Sequence, residues 1–153
     1  MRISAKTDYA LRAAIELASL GSDGPVKGEL IANAQGIPLR FLENILGDLR
    51  NAGIVESRRG VEGGYLLSRA PADIALADVV RAVDGPLANV AGTRPNQLVY
   101  DGSSEKLREV WVAVRAALRM VLEETTLADV AAKKLPKHVE KLVAEQDAWD
   151  VRI

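Results

Sequence analysis

Residues Ile37 to Arg69 read IPLRFLENILGDLRNAGIVESRRGVEGGYLLSR, and the periodicity of this stretch decides the fold. Pro38 suits a first helical position, where its missing N–H costs nothing, and Phe41, Leu42, Ile45, Leu46 and Leu49 then recur at helical spacing. The other face carries Arg40, Glu43, Asn44, Asp48 and Arg50, and Gly53 stands where a helix end favours a left-handed residue. Two short β-prone runs follow, Ile54 to Ser57 and Tyr65 to Ser68. Between them Arg58-Arg59-Gly60-Val61-Glu62-Gly63-Gly64 places two arginines at the base of a loop whose glycines supply the positive φ of a hairpin tip.

A polar-faced helix followed by a basic hairpin is the arrangement of a winged helix-turn-helix. There the helix enters the major groove and the wing reaches phosphates or the minor groove. The alternative is an αββ unit that packs a core and leaves its arginines solvated. Working outward, Lys27 to Gln35 reads as a short helix with Leu30, Ile31 and Ala34 inward, ended by Gly36, so that it and the helix after Pro38 form the helix-turn-helix pair. Before it, Ser4 to Leu20 is an Ala/Leu-rich helix with a broad buried face, capped by Ser4 or Thr7, and Gly21 to Pro25 breaks it. Beyond the hairpin, Ala70-Pro71 ends the wing, and Ala75 to Val83 forms an amphipathic helix stopped by Asp84-Gly85-Pro86 and packed back onto the domain.

Leu87 to Ser103 keeps neither helical nor strand periodicity, and a loop of that length in a compact protein is functional or mobile. From Ser104 the pattern returns: Leu107, Trp111, Val114, Leu118 and Val121 alternate steps of four and three, with Val110 and Ala117 alongside. A buried helix of a monomer shows the same stripe, but this one is long and lies outside the winged domain, so a dimerisation helix from Ser104 to Glu124 is the expectation. Thr125 or Thr126 caps a further turn, Leu127 to Lys134, and a Lys-rich helix runs from Lys137 to about Trp149.

The expected fold class is therefore mainly α with a small β-hairpin. It divides into a winged helix-turn-helix DNA-binding domain over residues 1–84, an irregular sensor-like loop over 85–103, and a dimerisation helix with C-terminal helices over 104–153.

Composition narrows the function. Cysteine is absent, which excludes disulfides, thiol nucleophiles, thiolate zinc sites and all-cysteine iron–sulfur ligation. The single histidine, His138, sits in a Lys-rich helix and is expected to be solvated. No nucleotide-binding glycine signature, serine-hydrolase elbow or metal-ligand cluster appears, so an enzyme is not expected. No apolar run approaches a membrane span and the N-terminus lacks a signal-peptide core, which implies a cytoplasmic protein without a membrane partner. The net charge of −1 lacks the global basic signature of a sequence-independent nucleic-acid coat. Positive charge is local instead: Arg2, Lys6, Lys27, Arg40, Arg50, Arg58, Arg59 and Arg69 lie in the N-terminal half.

Three stretches, MRISAKTDYALRA at the start, IANAQGIPLRFLENILGDLRNAGIVESRRGVEGGYLLSR in the middle, and ADVVRAVDGP followed later by TLADV, occur in fixed order along the chain. In them the sequence resembles the Rrf2 family of bacterial transcription regulators over nearly its whole length. The resemblance implies a homodimeric repressor or activator on a palindromic operator of double-stranded DNA. Carried over position by position, it implies that Leu39, Arg40, Glu43 and Asn44 read the major groove, that Arg59 of the wing enters the minor groove, and that Phe41 lies close to the backbone. Arg50, Arg58 and Gly60 complete the expected DNA-binding set. Arg40 is chemically apt for guanine and Glu43 for the cytosine N4 amine.

Many relatives hold an iron–sulfur cluster through three cysteines in the loop before the dimer helix, and Leu87 to Ser103 has none. Asp8 falls where some of them have a non-cysteine ligand, and alone it cannot hold a cluster. No cofactor is expected, and Asp8 is expected to cap or pair locally. Arg94, Asn96, Gln97 and Tyr100 offer hydrogen bonds there and Trp111 an aromatic wall, which suits a small polar or aromatic effector. A winged-helix module that binds a partner protein and does not read DNA is the competing function, with Glu43, Asp48 and Glu62 offsetting the basic groups.

Overall fold

Ser4 opens the first helix, α1 (Ala5–Ser19): its Oγ accepts the Thr7 N–H at 3.0 Å and satisfies one of the donors a helix start leaves unpaired. The structure, a computed structural model, describes residues 2–21 and 23–152. Ala10, Ala13 and Ala14 of α1 are fully buried, and these small side chains let α2 (Gly28–Gln35), α3 (Leu39–Asn51), α4 (Leu76–Asp84) and α6 (Leu127–Ala131) all pack against it.

The buried stripe of α2 differs from expectation. Ile31 and Ala32 are buried, whereas Leu30 is 60% exposed and Ala34 is exposed. The stripe starts at Gly28, which is buried against the Tyr65 ring, and it continues through residues 31, 32 and 35. A stripe that begins on a glycine gives no hydrophobic signal. Gly36, at φ +62°, ends α2 in the left-handed region and turns the chain into α3. Pro38 takes the cap position, one residue before the first helical turn.

Leu42, Ile45, Leu46 and Leu49 of α3 have no exposed surface and form the centre of the core with Ile31, Ile54, Val55, Ile74 and Val79. Gly53, at φ +74°, redirects the chain into β1 (Val55–Arg58), which pairs antiparallel with β2 (Gly64–Leu67) in the register Val55 to Leu67 and Arg58 to Gly64. Val26 adds a one-residue rung on the other edge of β2, exchanging two 2.8 Å backbone bonds with Tyr65. Asp84, the last residue of α4, accepts hydrogen bonds from the hydroxyls of Ser4 (3.0 Å) and fully buried Thr7. A carboxylate there complements the positive end of the α1 dipole.

The long helix α5 (Leu107–Leu122) starts later than Ser104, because 102–104 forms a separate 3₁₀ turn. After it the chain returns to the first domain. Thr126 and Asp129 form a capping box for α6, the Leu127 N–H bonds the Ile74 carbonyl at 3.0 Å, and the Leu127 side chain is fully buried in the main core. Residues beyond 104 thus complete the core of the winged domain. α7 (Lys137–Ala144) is shorter than expected: the Trp149 indole N–H donates to the Val143 carbonyl at 2.7 Å, satisfying a last-turn acceptor, and 146–148 forms a 3₁₀ turn. His138 is not simply solvated. Its Nε2 lies 3.0 Å from the Met120 carbonyl and 3.4 Å from Glu124, tying α7 to the end of α5. No helix among the described residues is long and apolar enough to cross a membrane.

Candidate nucleic-acid interface

The helical period that buries Leu42, Ile45, Leu46 and Leu49 turns Arg40, Glu43 and Asn44 away from the core and leaves Leu39 at the open N-terminal end of the buried stripe, and all four are exposed. Phe41, counted on the apolar face in the sequence, is 45% exposed. It sits at the edge of the stripe, where its ring meets Tyr9 edge-on at 5.8 Å between centroids. Arg12 covers Tyr9 at 5.4 Å and also donates to the Gln35 carbonyl at the end of α2. A single side-chain stack thereby connects α1 to both helices of the helix-turn-helix. Asp8 pairs locally with Arg12 at 3.3 Å.

Arg50, Arg58, Arg59 and Gly60 are exposed as well. Arg50 donates to Ser57 Oγ at 3.3 Å and so bridges α3 to the first strand of the wing. The tip closes between Gly60 and Gly63 with a 3.0 Å backbone bond, and a Cβ on Gly63 would come within 2.2 Å of the Arg58 carbonyl, so only glycine fits there. Lys27, one of the locally clustered basic residues but not one of the expected DNA-binding set, reaches from the start of α2 to the Gly60 carbonyl at 3.2 Å. At the wing base Arg69 donates to the Gly53 and Asp73 carbonyls and lies 3.6 Å from Asp78. The nine residues expected from the sequence therefore occupy one helix face and the adjoining hairpin, held by Lys27, Arg50, Arg69 and Tyr9.

None of the sixteen residues of α5 is buried. Leu107 and Val110 are 37% and 52% exposed, while Trp111, Val114, Leu118 and Val121 are half-buried. The Trp111 indole N–H is enclosed without an acceptor among the described residues.

The loop residues expected to meet a ligand separate into two groups. Arg94 and Asn96 line a cleft of about 490 Å³ together with Arg81, Leu87, Arg115 and Arg119. Gln97, Tyr100 and Trp111 do not line it, so the aromatic wall expected from Trp111 is not part of this cleft. Arg81 and Arg119 both donate to Glu123, and these two bonds, that from Arg81 first, hold its carboxyl below the usual glutamate range. Arg81, Arg115 and Arg119 carried no sequence signal, being spread over two helices that meet only in the fold.

The chain matches the Rrf2 family, described as iron-dependent transcriptional regulators, over residues 3–133. A protein of Mycobacterium tuberculosis (strain H37Rv) assigned as an HTH-type transcriptional regulator is 50% identical over 150 residues, 98% of this chain and 93% of that protein. The HTH-type transcriptional regulator CymR of Bacillus subtilis is 38% identical over 132 residues, 86% of this chain and 91% of that protein. The solved structure of CymR, titled the global cysteine regulator of B. subtilis, superposes with a TM-score of 0.75 at 36% identity, over 88% of this chain and 98% of that one. The structure of T. potens IscR does so at 0.71 and 32% identity, over 100% and 94%.

The iron of the family description does not fit the residues present. The chain has no cysteine, and among the described residues no three histidines, aspartates or glutamates are grouped to hold a metal ion. In fold and sequence alike, this chain belongs to the Rrf2 family of winged helix-turn-helix, DNA-binding transcription regulators, as a member without cysteine.

Proposed function

We propose that the protein binds a two-fold-symmetric operator as a homodimer and does so without an iron–sulfur cluster. The observation that carries this reading is the pairing of a fully buried face of α3 with an exposed face of Leu39, Arg40, Glu43 and Asn44, set beside a wing that exposes Arg58 and Arg59. Arg40 donates to guanine and Glu43 accepts from cytosine in the major groove. Arg59 enters the minor groove, and Arg50, Arg58 and the Gly60 backbone take phosphates. Phe41 lies against the sugar-phosphate backbone.

The dimer forms through α5. Its seam of Leu107, Trp111, Val114, Leu118 and Val121 stays partly exposed in the single chain, which leaves apolar surface for a second copy to cover. Two-fold symmetry then sets the recognition helices one DNA turn, or a multiple of it, apart. In this division, 1–84 reads DNA, 85–103 links and senses, and α5 within 104–153 joins the protomers.

Sequencing the DNA that co-purifies with the protein from its native cell tests the reading. An inverted repeat shared by the recovered fragments is the expected result, and fragments without any common motif would refute it.

A further inference from the structure

The cleft between α4, α5 and the loop joining them gathers four guanidinium groups, from Arg81, Arg94, Arg115 and Arg119. One carboxylate, that of Glu123, answers them, and it is already shared by Arg81 and Arg119. Arg115 bonds only a neutral partner, Asn96 Oδ1, at 2.8 Å, and Arg94 has no ion pair among the described residues. Arg81, Arg94 and Arg119 are solvent-exposed and Arg115 is half-buried, so the cleft is open to an incoming anion, with the buried side chain of Leu87 at its lining. The backbone that carries Arg94 is anchored on both sides: the next residue, Pro95, is fully buried, and Val90 and Thr93 pair just before it.

We infer that this cleft is an effector site for a small molecule bearing two or three negative charges, carboxylate or phosphate. Planar guanidinium forks match both oxyanions with paired N–H donors, and a volume of about 490 Å³ is that of a small-molecule pocket. The ligand takes the free donors of Arg94 and Arg115 and completes the charge balance that Glu123 leaves unfinished. Because Arg81 belongs to α4, which packs on α1 and α3, and Arg115 and Arg119 belong to α5, the anion ties the long helix to the winged domain. It thereby favours one spacing of the two recognition helices over others. This regulatory consequence rests on the proposed dimeric DNA-binding function, whereas anion binding itself does not.

The test is calorimetric titration of the full-length protein with citrate and, separately, with inorganic pyrophosphate, each against sodium chloride at matched ionic strength. Either probe binding in excess of the chloride control supports the site, and the arm that binds identifies carboxylate or phosphate as the source. Arg94→Gln and Arg115→Gln are each expected to weaken that binding by on the order of tenfold while leaving the melting temperature without anion unchanged. Arg94→Lys, which keeps the charge, restores part of it. Binding of neither probe, or equal binding by both Gln variants, overturns the proposal. So does a loss of operator affinity in anion-free Arg94→Gln, which would make the cleft a DNA-phosphate contact. Arginine-dependent anion binding by a protein that binds no DNA would keep the site and refute the function proposed above.

Discussion

Tyr9 on α1 and Phe41 in the first turn of α3 meet ring edge to ring face, at 86° and 5.8 Å between centroids, a contact that joins the start of α3 to α1. The two residues are 32 positions apart, and nothing in the period of either helix announces the contact. A double-mutant cycle on Tyr9→Leu and Phe41→Leu, read by urea unfolding, is expected to give a coupling energy of about 0.5–1.5 kcal/mol. Additive single effects would show that the stack does not hold α3.

The second prediction concerns the root of the wing. Gly64 has φ +153°, and a Cβ there would fall 2.5 Å from the Val26 carbonyl, which is bonded to Tyr65. Gly64→Ala should therefore cost roughly 1–3 kcal/mol of stability and weaken operator binding, because the hairpin detaches from its Val26 rung. An unaltered urea midpoint would contradict the close approach.

The dimer is tested by point substitution, since truncation before α5 would also remove Leu127 from the core. Val110 and Ala117 are exposed on α5, so Val110→Glu combined with Ala117→Glu leaves the protomer folded and places charge in the seam. Sedimentation at micromolar concentration is expected to show monomers. A persistent dimer would exclude this face.

Much of the site was readable because it rests on local rules. The alternation of buried leucines with exposed polar residues along α3, the terminating Gly53 and the glycines of the wing each act within one or two turns of chain. What escaped the sequence depends on distant partners. Phe41 looks like a core residue until Tyr9 is brought beside it, Val26 is a one-residue strand too short to have a period, and the buried stripe of α2 begins on a glycine. α6 reads as a continuation of the C-terminal helices, yet its capping box and Leu127 carry it back to Ile74. The arginine cleft is assembled from α4, the loop after it and α5, and its arginines on the two helices follow no local pattern that would bring them together.

Iron provides a further check. With no cysteine in the chain, protein reconstituted anaerobically with ferrous iron and sulfide is expected to stay colourless and to keep its operator affinity. A stoichiometric visible absorbance would contradict this and make Asp8, now paired with Arg12, a candidate ligand.

The central claim, that α3 and the wing bind DNA, is tested most directly by the salt dependence of operator affinity in the wild type and in Arg59→Ala. Arg59 is exposed and takes no part in the core, so its removal should leave the melting temperature unchanged. The wild type should lose affinity steeply with salt, with a log–log slope of about −0.9 per phosphate neutralised. Arg59→Ala should bind about 1–3 kcal/mol more weakly, with a slope shallower by about one contact if the side chain also neutralises a phosphate beside the minor groove. Equal affinity of the variant and the wild type across the salt range, or a wild-type affinity indifferent to salt, would contradict the account.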